Sequence, residues 1–272
     1  MSVFLTVLAS DNFFRANESP LIHPPWTVDT FGQAGLQIIS HLCQGTTTNT
    51  DCTELYTGVS LPNDQYASAT LGAGIAGNAN LVLGIRMVDN GSVSLGGMPG
   101  YFTRISGTGN GGTWTIQDGS GGHVLTNGSG LTVNSGDVFV LAVIGTTLYL
   151  FQNGTQVTSV VNALWSSGSA MLVCATGASA TAVQVSAFAT GKASLTPGGT
   201  GTGYSVPDCR VPPAGPNSSR VVQGTLIYDV QTSSNKAIPP TDSRASGQGT
   251  DSRVSSNVPL NSRTPGTSGP GE

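Results

Sequence analysis

Residues 136–161 limit the fold of this chain more narrowly than any other stretch of its sequence. They contain two apolar runs of strand length, at 138–144 and 148–151, and the first is rich in β-branched residues. Asn153-Gly154 follows and suits a two-residue type I′ hairpin, because both central residues of that turn need a positive φ. The segment therefore predicts three consecutive antiparallel strands with one dry face.

The composition extends this prediction over most of the chain. Of 272 residues, 38 are glycine and only 9% are charged, whereas Ser, Thr, Val and Asn are plentiful. Such a composition favours short strands joined by turns, and no window shows the 3.6-residue apolar repeat of a helix. About a dozen strand-like segments lie between residues 3 and 191. They predict an all-β fold, a two-sheet antiparallel β-sandwich of the jelly-roll type.

Charge and cysteine usage exclude several classes of function. The net charge is −4 with ten Lys and Arg, so the chain offers no electrostatic surface for nucleic acid. The apolar segment 3–9 is too short for a membrane span, and no Cys/His spacing suggests zinc. Cys43 and Cys52 flank a polar loop and could be bridged in an oxidising medium, whereas synthesis in the cytoplasm favours free thiols.

Several motifs occur in an order that resembles the concanavalin A-like lectin and glucanase family, close to the laminin-G-like modules of bacterial and phage proteins. They are DNFFRAN with a following Trp26-Thr27, YTGVSLPNDQYASATL, GIRM, YFTRI, GDVFVLAVIGTTLYLFQNG and a closing VQVSAFATG. The resemblance covers about residues 3–191. It implies two antiparallel sheets, adjacent first and last strands, and a concave face that often binds glycans. It also implies that Phe13 or Phe14 packs with Trp26 in the core.

A catalytic role has little support in the sequence. Glycoside hydrolases need two neighbouring carboxylates, which the glucanases of this family carry in an ExDxxE-type strand. The three glutamates, Glu18, Glu54 and Glu272, do not form that pattern. The histidines are scattered, and no nucleophile-elbow motif accompanies them. We therefore predict no enzyme activity, no catalytic residues and no cofactor.

Glycan binding is the remaining small-molecule function. The loop at 107–122 places Trp114 between glycines, with Asn110 and Asp118 nearby, and glycan sites combine an aromatic platform with such hydrogen-bonding partners. The competing interpretation puts Trp114 on a strand with its ring in the core. No metal site is predicted. Calcium is kept as an alternative because the loops at 49–51 and 89–91 offer oxygen ligands.

The composition changes at residue 192, so we predict a sandwich domain at 1–191 and an extended arm rich in Pro, Gly and Ser at 192–272. Such an arm cannot bury enough apolar surface to fold alone. A strand-like island at 220–230 interrupts it, and we expect this strand to add to a sheet edge of a neighbouring subunit. Its anchoring residues would be Val221, Val222, Leu226, Ile227, Tyr228 and Val230.

Two classes of function follow. The first is a non-catalytic structural or adhesion protein of a phage-like virion, whose lectin-like head binds other copies or other virion proteins through its arm. The alternative is a carbohydrate-binding module of a bacterial surface or exported protein, and a glycoside hydrolase is disfavoured. No Lys or Arg precedes the segment 3–9 and no cleavage site follows it. We therefore expect a particle assembled from the cytoplasm rather than a cell-surface location.

Overall fold

The fold in our computed structural model, which describes residues 2–22, 25–28, 34–92, 94–107, 109–196 and 225–229, is built almost wholly from strands. One short 3₁₀ turn, Leu95–Gly97, is the exception among these residues. No helix in the described part of the chain is long and apolar enough to cross a membrane. The all-β prediction is confirmed. In chain order, the strands are β1 (Ser2–Asp11), β2 (Trp26–Val28), β3 (Leu36–Ile39), β4 (Leu42–Gly45), β5 (Asp51–Tyr56), β6 (Gln65–Leu71), β7 (Asn80–Met87), β8 (Tyr101–Ser106), β9 (Gly109–Asp118), β10 (Val124–Val133), β11 (Val138–Ile144), β12 (Thr147–Gln152), β13 (Thr155–Val161), β14 (Ser169–Ala175), β15 (Gln184–Thr196) and β16 (Thr225–Asp229).

The strands form two sheets that pack face to face. Sheet A has nine strands in the order β1-β16-β13-β12-β11-β6-β15-β4-β3, and sheet B has seven in the order β10-β9-β8-β7-β14-β5-β2. β1 also pairs antiparallel with β15, so an N-terminal and a C-terminal strand of the sandwich are neighbours. This arrangement is the one that the sequence resemblance implies.

The predicted meander of three strands is present in sheet A. β11, β12 and β13 pair antiparallel in succession. Gln152 pairs with Thr155, so Asn153 and Gly154 are the two central residues of the hairpin. Their φ values are 49° and 81°, as a turn with two left-handed residues requires. The hairpin prediction is confirmed.

Buried apolar side chains lie on both faces of sheet A. Phe139, Leu141 and Val143 of β11 belong to the core between the two sheets, which we call the sandwich core. The alternate residues Val140 and Ala142 are equally buried but belong to a cluster on the opposite face. β11 is therefore a strand covered on both sides, which explains why its sequence is a continuous apolar run instead of an alternating one.

Sheet A closes on itself through its first and last strands. β1 pairs with β15 on one edge and with β16 on the other, and β16 makes one parallel bridge to β13, between Thr155 and Asp229. The path β1-β15-β6-β11-β12-β13-β16 thus returns to β1. Neighbouring strands are about 4.8 Å apart, so a flat sheet with β16 between β1 and β13 could not also bring β1 beside β15, at the other end of this path. These seven strands therefore form a ring.

The second apolar cluster fills the inside of this ring, and we call it the ring core. It joins β1 to β12, although two strands separate them in one direction around the ring and three in the other, which only a curved sheet permits. A bulge after Val7 changes the face on which alternate side chains of β1 lie. Val3 and Leu5 therefore pack in the ring core, whereas Ala9 packs in the sandwich core. The ring core consists of Val3, Leu5, Tyr66, Val140, Ala142, Tyr149, Phe151 and Ala193.

The described strand of the arm pairs within its own chain, and its expected addition to a neighbouring subunit stays a prediction. Leu226, Ile227 and Tyr228 lie in β16, which pairs with β1 of its own chain. The edges of β1 and β13 flank the ring core, and a strand tethered to the same chain reaches them at a higher effective concentration than a strand from another chain. Three other predicted anchors lie outside the described residues: Val221, Val222 and Val230.

The last strand of the sandwich crosses the predicted domain boundary. β15 runs to Thr196 instead of stopping near residue 191, because residues 192–196 pair with residues 2–6 of β1. The larger division into a head and an arm stays a prediction, since most of 192–272 lies outside the described residues.

Side chains of the DNFFRAN segment, residues 11–17, hold in place the connection between β1 and β2. The Asp11 carboxylate accepts hydrogen bonds from Arg15 Nη1 at 2.7 Å, from Trp26 Nε1 at 2.8 Å and from the backbone N–H of Phe13 at 2.8 Å. Phe13 is fully buried and Trp26 is 3% exposed, whereas Phe14 is 57% exposed. The implied packing role is therefore filled by Phe13.

Tyr56 packs beside this connection, against Trp26, and the pKa of its hydroxyl is raised. Its ring lies edge-on to Trp26, with centroids 5.0 Å apart, and burial, aided by the negative charge of Asp11, raises the pKa of Tyr56 to about 12. A raised pKa in the folded state means that the contribution of Tyr56 to stability is complete below pH 10 and is lost as pH rises towards 12. We expect the free energy of unfolding to fall less steeply over this range in Tyr56→Phe. Denaturant titrations of both proteins between pH 9 and 12 measure this, and identical slopes would contradict it.

Candidate functional site

An open cleft of about 580 Å³ lies where three loops meet at one end of the sandwich. The loops precede β6, join β11 to β12, and follow β13. One residue from the end of β7 and one from β15 complete the walls. We call this site the loop cleft, and its lining residues are Pro62, Asn63, Asp64, Arg86, Gly145, Thr146, Ala163, Trp165, Ser166 and Lys192.

Arg86 holds the three loops together. Its side chain is 4% exposed, and each of its nitrogens donates to a backbone carbonyl of a different loop. Nε bonds to Asn63 at 2.9 Å, Nη1 to Trp165 at 2.6 Å and Nη2 to Gly145 at 2.9 Å. A planar guanidinium can serve three acceptors in fixed directions. This side chain therefore links all three loops that form the cleft walls.

A β-bulge in β7 gives Arg86 its unusual position. Gly84 pairs with Met171 and Met87 with Ser169, so two residues of β7 face one residue of β14. Arg86 itself has a left-handed φ of 53°. The neighbouring Gly168 must be glycine, because its φ is 143° and an added Cβ would lie 2.3 Å from the Arg86 carbonyl carbon.

Two further groups fix the walls of the loop cleft. Asp64 Oδ1 accepts a 2.7 Å hydrogen bond from the backbone N–H of Gly145 and lies 3.9 Å from Arg86 Nη2. Tyr101 donates its hydroxyl proton to Asn162 Oδ1 at 2.9 Å and accepts from the backbone N–H of Trp165 at 2.9 Å. Burial lowers the pKa of Arg86, and Tyr101 and Asp64 oppose that shift.

The groups that the loop cleft offers to a ligand are polar and varied. The Asp64 side chain is 40% exposed, and the side chains of Asn63, Ser166 and Lys192 are exposed too. They supply acceptors, donors and one positive charge, next to the half-buried indole of Trp165. Asp64 is the only carboxylate among the lining residues. The cleft thus suits binding of a ligand rich in hydroxyl groups and lacks the carboxylate pair of a glycoside hydrolase.

A second cleft, of about 460 Å³, lies beside the Asn153-Gly154 hairpin. Its carboxylate, Asp137, is only 9% exposed. Asp137 accepts hydrogen bonds from the backbone N–H of Asn134 at 2.8 Å, from Gln152 Nε2 at 3.0 Å and from Asn153 Nδ2 at 2.8 Å. These bonds hold the hairpin to the end of β10, so Asp137 has a structural role here.

The structure does not bring the three predicted glycan-binding residues together. Trp114 is 8% exposed and belongs to the sandwich core, and the backbone of Gly128 lies against its ring. Asn110 and Asp118 sit at opposite ends of β9, roughly 27 Å apart at about 3.4 Å per residue. Asp118 Oδ1 accepts from Ser120 Oγ at 2.7 Å and closes a turn. A ring used in the core cannot serve as a platform, which favours the competing interpretation of Trp114.

The sequence analysis did not identify the loop cleft, because its residues occur in stretches that are typical of turns and buried strands. Asp64 lies in Pro-Asn-Asp-Gln, which has the composition of a turn. Arg86 lies in GIRM at the end of a buried strand. A charged residue inside an otherwise apolar strand was the one available signal, since such a residue is buried only with partners.

The described residues show no group of three or more His, Cys, Asp or Glu side chains placed to hold a metal ion. In the loops kept for calcium, Asp89 Oδ1 accepts from the backbone N–H of Gly91 at 3.3 Å, and Asp51 forms an ion pair with Arg104 at 3.2 Å. Among the described cysteines, Cys43, Cys52 and Cys174 are free and buried. Burial raises the pKa of the Cys43 thiol, with Cys174 as its hydrogen-bonding neighbour.

Among the comparisons with known proteins, only the one with solved structures found matches to this chain. No family model and no curated protein sequence matches it. Among solved structures, the VIP36 exoplasmic/lumenal domain in its Ca²⁺/Man-bound form is 9% identical over 65% of this chain and 86% of that chain, with a TM-score of 0.48. The metal-free Emp46p carbohydrate recognition domain is 11% identical over 61% and 87%, with a TM-score of 0.45. The carbohydrate binding module CBM66 from Bacillus subtilis is 14% identical over 62% and 92%, with a TM-score of 0.41.

The fold itself is a two-sheet β-sandwich in which β1 and β15 are neighbours. At these identities and TM-scores, the similar structures assign neither a ligand nor a site to this chain.

Proposed function

We propose that this protein binds carbohydrate in the loop cleft and does not cleave it. The supporting observation is the Asp64 carboxylate, which is held by the N–H of Gly145 and by Arg86 yet keeps 40% of its side chain exposed. A fixed, exposed carboxylate accepts hydrogen bonds from neighbouring sugar hydroxyls, and the adjacent Trp165 ring offers an apolar surface for the C–H face of a sugar. The cleft volume of about 580 Å³ falls in the usual range for small-ligand sites.

The rigidity of the loop cleft supports binding as well. Arg86 and Tyr101 fix all three loops through hydrogen bonds to backbone groups. A ligand therefore does not have to order the loops when it binds, and this lowers the entropic cost of association. A hydrolase would need a second carboxylate within about 10 Å of the first, and Asp64 has no such partner in the lining of the cleft.

Replacing Asp64 with asparagine should separate binding from folding. Asparagine retains an oxygen that accepts from Gly145 but loses the charge, so we expect glycan affinity to fall roughly 10- to 100-fold. The melting temperature should change little, because Asp64 lies on the surface and its contact with Arg86 is long. A glycan array with the unaltered protein selects the ligand, and isothermal titration calorimetry with that glycan measures both proteins.

Asn110→Ala is the matched control for this experiment. Asn110 was a candidate from the sequence but lies on β9, outside the lining of the loop cleft, and its Oδ1 accepts from Thr132 Oγ1 at 2.9 Å. Affinity in this variant should equal that of the unaltered protein. Equal affinity of Asp64→Asn and the unaltered protein would contradict the proposed site, and an array without any bound glycan would contradict the proposed function.

The expected role in a phage-like virion stays a prediction. It depends mainly on the arm at 192–272, of which only residues 192–196 and 225–229 are described. The expected location in a particle or at a cell surface is likewise a prediction.

A further inference from the structure

We infer that β16 is an exchangeable strand, and that copies of this protein join when β16 of one copy occupies the place between β1 and β13 of another. We call this place the strand seat. The partner is therefore a second copy of this chain. This inference concerns the strands that close the ring of sheet A, and its test does not involve a glycan.

The strand seat binds β16 through the backbone ladder of β1. Five consecutive pairs join the two strands, from Ser2 with Asp229 to Thr6 with Thr225, and a single bridge joins β16 to β13. These contacts depend on register and not on which chain supplies the strand. β16 from a second copy would make identical pairs, which is the condition for strand exchange.

The seat has to be occupied because it closes the ring core. Val3 and Leu5 of β1 are fully buried, as are Val140 and Phe151 on the facing strands. Removal of β16 would leave a gap one strand wide between β1 and β13, with free backbone groups on both edges and the ring core beneath them. An empty seat would therefore be unfavourable. A strand from the same chain and a strand from another copy would pair these backbone groups and cover the ring core equally well.

The connection to β16 is long enough to reach a neighbouring copy. Residues 197–224 separate β15 from β16, and these 28 residues include five prolines and six glycines. Fully extended they would span on the order of 90 Å at about 3.3 Å per residue, about twice the length of the 13-residue β15. Exchange therefore requires no change within the sandwich.

The closed arrangement, with β16 in its own seat, and the exchanged one differ in free energy mainly through chain entropy and protein concentration. Because the contacts are the same, the choice depends on the effective concentration of the tethered strand, which is about millimolar for flexible linkers of moderate length. Dilute protein should hold its own β16, and concentrated protein, or copies assembled side by side, should exchange it. The exchanged fraction is thus expected to rise with protein concentration.

A cross-linking experiment on the full chain tests the exchange. Phe4 pairs with Ile227 in the observed register, and Phe4 alternates with the ring-core residues Val3 and Leu5, so its side chain lies on the outer face. One population carries Phe4→Cys and the other, with a tag of different mass, carries Ile227→Cys, both with Cys209→Ser. The two are unfolded, mixed, refolded together at increasing concentration and oxidised. A covalent heterodimer linked between positions 4 and 227 is expected, in an amount that increases with concentration.

Thr225→Cys replaces Ile227→Cys in the matched control. Position 225 pairs with Thr6, two residues out of register with Phe4, and diagonal neighbours are too far apart for ready disulfide formation. A heterodimer yield no greater than that of this control at every concentration would overturn the exchange. The Phe4→Cys, Ile227→Cys double variant should form its disulfide within one chain when dilute, and failure there would overturn the seat itself. Co-expression of the two single variants gives the same readout if refolding is inefficient.

Discussion

Replacing Trp114 with alanine is expected to lower the free energy of unfolding by about 3–5 kcal/mol. The indole is 8% exposed and packs in the sandwich core. Gly128 on the neighbouring strand β10 leaves room for it: a Cβ at that position would lie only 2.6 Å from Cζ2 of the ring. Truncation would therefore leave a cavity that adjacent strands cannot fill without breaking their ladder. Denaturant unfolding followed by far-ultraviolet circular dichroism measures the loss.

Two further variants show whether this loss is specific to core packing. Phe14→Ala removes another aromatic ring, but that ring is 57% exposed and stacks on His41, so the loss should stay below about 1 kcal/mol. Gly128→Ala should also destabilise the protein, because the new methyl group meets the Trp114 ring. If Trp114→Ala left stability unchanged but weakened glycan binding, the ring would be a binding platform after all.

The sequence was most informative where the determinants of structure are local. Asn153-Gly154 specifies its hairpin because few other residues accept a positive φ at two successive positions. The continuous apolar run of β11 indicates a strand covered on both faces, which the alternation of Leu141 and Val140 between the two cores confirms. Both features follow from backbone preference and burial over a few residues.

The ring closure could not be predicted from the sequence, because it depends on contacts between distant segments. The island at 220–230 has the pattern of a strand, but its pattern does not say which edge it joins. The choice of β1 follows from the curvature of sheet A and from an apolar face that Val3 and Leu5 share with Phe151, residues far apart in the chain. The structure pairs this strand with β1 of the same chain, and its expected addition to a neighbouring subunit stays a prediction.

The loop cleft escaped prediction for a similar physical reason. Its walls come from segments separated by more than 100 residues, and Arg86, which lies in a bulge of β7, joins them. In Trp114 the sequence showed an aromatic residue among glycines, which resembles a binding loop. The structure instead places the ring in the sandwich core, where Gly128 of the neighbouring strand β10 leaves space for it. Local composition alone does not distinguish these two outcomes.

Replacing Arg86 with methionine is expected to destabilise the protein by about 3–5 kcal/mol and to abolish ligand binding in the loop cleft. Methionine fills a similar volume, but it leaves the carbonyls of Asn63, Trp165 and Gly145 without the donor that each has now. Unsatisfied polar groups that are shielded from water cost about 1–3 kcal/mol each. The three loops would also lose the side chain that fixes their spacing. Denaturant unfolding and calorimetry with the selected glycan measure the two effects.

Arg104→Met provides the matched control for this prediction. Arg104 also pairs with an aspartate, Asp51 at 3.2 Å, but its side chain is 28% exposed and donates to no backbone carbonyl among the described contacts. Water can replace its partners, so the loss should be below about 1 kcal/mol. Arg86→Lys should fall between the two variants, because an ammonium group cannot reach three carbonyls in the directions that the planar guanidinium serves. Equal losses for Arg86→Met and Arg104→Met would show that the loops of the cleft keep their positions without Arg86.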